Sequence, residues 1–151
     1  MANKIRVTAW NEFRHEKSNE YVKSIYPDGI HGLIKQFLET QDDIEVTLAA
    51  LDDPDNGLPD EVLNNTDVLI WWGHMRHNQV PDEVAALVRD AVNSGMGAIF
   101  LHSAHHSKPF KLLMGTTCNV NWREDGDFCR VWICDPSHPI VAGLDRYIEI
   151  P

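Results

Sequence analysis

An α/β fold with a mostly parallel sheet, helices on both faces and hence three layers is what this sequence predicts, and three observations carry that expectation. Short β-rich apolar runs alternate with segments of helical spacing in the order β-α-β-α-β-α-β-α, the pattern of parallel strands joined by right-handed crossovers. One run, Asp67-Val68-Leu69-Ile70-Trp71-Trp72, is almost continuously apolar, as a central strand covered on both faces must be. Polar clusters follow directly on three of the strands, at the carboxyl ends where open α/β sheets bind ligands.

Along the chain, Ile5 to Trp10 reads as a first strand, and Asn11-Glu12-Phe13-Arg14-His15-Glu16 as a functional loop after it. Tyr26-Pro27-Asp28-Gly29 is turn chemistry. Ile30, Leu33, Ile34, Phe37 and Leu38 then recur at helical spacing, which places His31 in the first turn of a helix. Ile44 to Leu48 alternates as a second strand, Asp52 to Gly57 is a loop, and Pro59 opens a short helix before the third strand. Gly73-His74-Met75-Arg76-His77 is the next polar cluster. A helix from about Asp82 to Ser94 carries Val84, Leu87, Val88 and Ala91 on one face and stops at Gly95. Gly97 to Leu101 is a fourth strand, followed by His102-Ser103-Ala104-His105-His106 and a short helix closed by Gly115. In the last third, Asp125-Gly126 between Cys118–Arg123 and Cys129–Cys134 signals a hairpin, giving an antiparallel extension. Tyr147 to Ile150 reads as a final strand.

Composition narrows the partners. With 151 residues, the chain is long enough for one domain with a real core and is expected to be a single unit. Its formal charge of -10, without a run of Lys and Arg, argues against nucleic acid and anionic membranes as partners. Three Cys without Cys-x-x-Cys spacing fit a reducing cytoplasm better than a disulfide framework or a thiolate zinc site. Neither a signal region nor a membrane-length apolar run stands in the sequence.

Five strings in order, Trp10-Asn11-Glu12-Phe13-Arg14-His15-Glu16, Tyr26-Pro27-Asp28-Gly29-Ile30-His31-Gly32, Trp71-Trp72-Gly73-His74, Leu101-His102-Ser103 and Trp122-Arg123-Glu124, resemble the ThuA, or trehalose-utilisation, family. The resemblance covers essentially the whole chain and is to the N-terminal portion of such proteins, so a shortened C-terminus is expected. It implies a class I glutamine amidotransferase-like sheet, a relative of the flavodoxin type. It also implies a role in bacterial sugar catabolism, on keto-derivatives of trehalose or similar disaccharides. A small carbohydrate is then the expected partner, no nucleotide cofactor is expected, and a homo-oligomer stays open.

The residues suggest how such chemistry would be done. In a flavodoxin-like strand order the first, third and fourth strands are neighbours, so Glu12, His15, His74, His77, His102 and His105 would converge over one crevice. Acid/base work falls to His102, His105 and Glu12, with Ser103 as a further catalytic candidate. Bulky Leu101 and His105 on either side make Ser103 a poor nucleophile elbow and a better cap for the following helix. Asn11, Arg14, His15, Trp72 and Arg76 are candidate substrate contacts. His31 at a helix start would be held neutral, and with His74 and His77 forms a candidate ligand set for zinc, manganese or iron. Trp10, Trp71 and Trp72 default to core packing, although Trp72 could stack on a sugar. Deprotonation next to a keto group would suit a lyase or a hydrolase. True glutamine amidotransferase activity is not expected, since no Cys follows the fourth strand. The alternative is a non-catalytic module that binds a sugar or a protein in the same crevice.

Overall fold

The computed structural model describes residues 4–121 and 125–150, which fall into two compact units, Met1–Asn119 and Val120–Pro151. The first holds a four-stranded sheet in the order β2-β1-β3-β4, with β1 at Ile5–Asn11, β2 at Ile44–Ala50, β3 at Val68–Trp72 and β4 at Gly97–Phe100. Every pairing in it is parallel, and the order is flavodoxin-like, with β1, β3 and β4 side by side. No helix of the described residues is long and apolar enough to cross a membrane.

Period-2 alternation explains what each face buries. On one face Val7, Ala9, Val46 and Ile70 pack with Ile34 and Leu38 of α3 (Gly29–Leu38). On the other, Trp10, Leu69 and Trp71 pack with Leu63 of α4 (Asp60–Asn64) and with Val84 and Val88 of α5 (Asp82–Asn93). Trp10 and Trp71, paired in register across β1 and β3, stack with ring centroids 3.9 Å apart and are 2% and 1% exposed. They are core residues, and the Trp10 indole N–H donates to the Asn56 carbonyl at 2.8 Å. The next register pair, Asn11 and Trp72, turns to the α3 face. The pleat thus sends one pair of β1 and β3 residues into the core and the next toward the site.

Helix ends obey the expected chemistry. Asp82 and Glu83 occupy the first turn of α5, where negative charge offsets the helix dipole. Gly115 closes α6 (Lys108–Met114) in the left-handed conformation that glycine adopts most readily. The segment after β1 is more ordered than a loop: it forms α1 (His15–Ser18) and α2 (Glu20–Ile25), and the Asn19 side chain caps α2 by accepting from Tyr21 and Val22.

Two local expectations need correction. His102–His106 forms a 3₁₀ turn rather than an α-helix, and Ser103 does not cap α6, since Ser107 is the residue that precedes that helix. In the second unit an antiparallel pair joins β5 (Cys129–Trp132) with β6 (Tyr147–Ile150). Cys118 takes a φ of 52°, which interrupts an extended run there, whereas β5 and β6 gain cross-strand partners. Trp132 packs on Tyr147 at 5.2 Å, and Arg130 forms an ion pair with Glu149. Trp122, Arg123 and Glu124, which belong to the expected hairpin, lie outside the described residues. Cys118, Cys129 and Cys134 are free thiols.

Candidate functional site

The chain leaves β1 through two carboxylates that are almost fully buried, Glu12 at 1% and Glu16 at 3% exposure. Glu12 reaches across to the loop that leaves β3. Its Oε2 accepts the backbone N–H of His74 at 2.8 Å, of Met75 at 3.0 Å and of Arg76 at 3.0 Å, and Oε1 accepts that of Met75 at 2.9 Å. A buried carboxylate is tolerated when such donors replace its water. Glu12 is therefore a clamp that fixes His74 and its neighbours over the sheet end.

Glu16 serves the other side of β1. Its Oε1 accepts from Asn11 Nδ2 at 2.7 Å and from the Ile30 N–H at 3.1 Å, while Oε2 has no hydrogen-bond partner. Asn11 is wholly buried, and its Oδ1 accepts the Phe13 N–H at 2.8 Å. Those contacts fix the orientation of the amide, so its second N–H is directed at His31 Nδ1, 3.2 Å away. The His31 proton then belongs on Nε2. Burial pushes the His31 pKa below its ordinary value, against the opposing pull of Glu16 and Asp53. His31 is thus a neutral imidazole of defined tautomer, as its position at a helix start suggested.

His74 is exposed at the surface of the clamped loop. Its Nδ1 lies 3.1 Å from Ser103 Oγ, and its ring centroid is 5.3 Å from that of His15 and 6.4 Å from that of Trp72. The site thus joins residues from the ends of β1, β3 and β4, as the strand order requires. Ser103 meets an imidazole here instead of a helix N-terminus. His102 is exposed, and its carbonyl accepts from His105 Nδ1 at 2.9 Å. That bond places the His105 proton on Nδ1, while its buried Nε2 has no partner. His105 therefore shapes the turn that presents Ser103.

Other candidates have structural work. The Arg14 guanidinium meets Asp52 at 2.7 Å and Gln79 at 3.2 Å, which ties together the exits of β1 and β2. Arg76 gives its backbone N–H to Glu12 while its side chain is exposed. His77 faces His106 at 6.2 Å, and burial lowers its pKa, with Glu12 opposing and His106, His105 and His74 reinforcing. Gly73 separates His77 from Glu12: a Cβ there would lie 3.4 Å from Glu12 Oε2 and 3.5 Å from the His77 ring.

For a metal, the test is whether donors converge. Among the described residues no group of three His, Cys, Asp or Glu side chains is placed to hold an ion. His31 Nδ1 is also already taken up by Asn11. His31 lies at the start of α3 with its Nδ1 facing Asn11, whereas His74 and His77 stand on the loop after β3.

Glu16 and Lys111 were not singled out by sequence reasoning, and each joins this region only through the fold. Glu16 carried one signal, its place in the polar cluster after β1. No match was found among curated proteins at a significant level. A family model described as trehalose utilisation does match, over residues 6–151, and the chain belongs to this ThuA family.

Proposed function

We propose that the chain processes a keto-sugar derivative by acid/base chemistry in the crevice at the carboxyl ends of β1, β3 and β4. The observation that carries this reading is the His74–Ser103 contact beside His15, on a loop held by the buried Glu12 carboxylate. A C–H bond next to a keto carbonyl is weakened because the electron pair it leaves can move onto the carbonyl oxygen. His74 takes the proton, Ser103 orients the imidazole through Nδ1, and His15 or His31 Nε2–H stabilises the enolate oxygen. His102, exposed next to Ser103, is the second candidate for proton transfer. The enolate can then expel a neighbouring group, a lyase outcome, or go on with water to a net hydrolysis. Trp72, half-exposed beside His74, offers an apolar face for a sugar ring.

The test is turnover of keto-disaccharides by the wild type, His74→Ala and His102→Ala. A general acid/base contributes about 10²- to 10⁴-fold, so His74→Ala should lose that much in kcat. Loss confined to His102→Ala would move the base to His102. The engagement of Glu12 and Arg14 in structural contacts favours one second reading, a sugar- or partner-binding module. Binding of the sugar without turnover by the wild type would decide for it.

A further inference from the structure

Next to the imidazole wall lies a cleft of about 420 Å³ lined by Met75, His77, Asn78, His106, Lys108 and Lys111. Among the described residues no carboxylate lines it, although the chain as a whole carries a formal charge of -10. Its nitrogen donors stand close together: His77 and His106 are 6.2 Å apart by ring centroid, and His105 is 4.1 Å from His106. The Lys108 ammonium meets Asp82 at 2.6 Å, but that carboxylate is 85% exposed and sits at the rim. Glu12 faces His77 across Gly73, yet its oxygens are committed to backbone N–H groups. Lys111 takes part in no ion pair among the described residues.

The Lys111 ammonium, without a counter-charge and beside a second ammonium at Lys108, attracts a ligand of negative charge. Burial first, and then His105 and Lys111, push the His106 pKa down. The donors suit an oxyanion: two ammonium groups, two imidazoles able to present N–H, and the Asn78 amide. Met75 closes one side without competing for hydrogen bonds.

We infer that this cleft is an anion subsite, so that the substrate is a sugar carrying a carboxylate or a phosphate ester. This inference rests on the proposed reading of the crevice as a substrate site and names its substrate class. The charged group sits between Lys108 and Lys111, and the sugar ring extends past His77 toward His74 and Ser103.

Calorimetric titration of the whole chain with inorganic phosphate, glucose 6-phosphate, glucuronate and uncharged glucose tests it. The expected result is saturable binding of at least one charged sugar and none of comparable strength by glucose. Preference for glucose 6-phosphate or for glucuronate identifies the phosphate ester or the carboxylate as the source. Lys111→Met should weaken binding by about tenfold or more, the effect of one hydrogen bond to a charged group. Lys35→Met, which removes a lysine paired with Glu39 on α3, should leave affinity unchanged. Absence of saturation by every anion, or equal affinity in the wild type and the Lys108→Met/Lys111→Met double variant, would overturn the inference. Turnover of an uncharged keto-disaccharide without anion binding would overturn the subsite and leave the proposed reaction standing. Anion binding with no turnover of any keto-sugar would do the reverse.

Discussion

Glu12 and Glu16 lie four positions apart in the chain, both buried to within a few per cent, and they do different things. Glu12 belongs to the β3 side. Its two oxygens collect backbone N–H groups from three consecutive residues, so its charge is spent on holding a loop. Glu16 belongs to the α3 side. It uses one oxygen, and through Asn11 it fixes the proton of His31 on Nε2. Burial alone therefore does not tell a clamp from a tuning group. The number and kind of donors does.

Substitutions can break this contrast. The largest effect is expected at Glu12→Gln, which removes the charge and sets an NH₂ against backbone N–H donors. It should cost about 2–4 kcal/mol in urea denaturation and disorder the His74 loop, lowering kcat with it. Gly29→Ala comes next and strikes only the Glu16 side. Gly29 has a φ of 76°, and a Cβ there would lie 2.5 Å from His31 Cε1 and 2.8 Å from Phe13. Strain plus clash should cost about 2–3 kcal/mol, and the His31 ring should lose its bond to Asn11, seen in its imidazole NMR signals. Glu16→Gln keeps an acceptor for Asn11 and the Ile30 N–H, so about 1–2 kcal/mol is expected. If Glu16→Gln proved costlier than Glu12→Gln, the assignment of clamp and tuner would be reversed.

A smaller, pH-dependent effect sharpens the comparison. Because His31 has a folded pKa below its ordinary 6.5, the unfolded chain binds its proton first. Its contribution to stability is present above about pH 6.5 and is lost as the pH falls through the folded pKa. His77 and His106 act in the same direction. Stability measured by denaturation from pH 7.5 to 5 should fall, and His31→Gln should remove part of that slope. Glu12→Gln should lower the whole curve instead. The smallest effect belongs to Asp67, an exposed carboxylate that Arg6 holds down to about 2. Asp67→Asn should leave the profile above pH 5 unchanged, since the Asp67 contribution is lost only as the pH falls below its ordinary 3.8 toward about 2.

Much of the architecture could be read from the chain because its signals are local. The apolar run in β3, the helical spacing from Ile30 to Leu38 and the glycine after Met114 each act over a few residues, and each element formed where expected. The antiparallel extension pairs elements distant in the chain: β5 finds its partner in β6, whose Glu149 and Tyr147 match Arg130 and Trp132. The site was legible in part. That His15, His74 and Ser103 meet is a consequence of the strand order. That Glu12 is a clamp is not, because its donors lie 62 to 64 positions away.

By itself the sequence determined the alternation along β1 and β3, which turns Trp10 and Trp71 into the core and Asn11 and Trp72 toward α3, and it carried the strings of the family. Tertiary structure alone decided which nitrogen of His31 and of His105 holds the proton, what each buried carboxylate touches, and that Lys108 and Lys111 share a cleft with His77 and His106. The physical reason is one of range. Side-chain alternation is a property of a single strand, whereas hydrogen-bond partners and local charge are set by register between strands and by how the loops beyond them close.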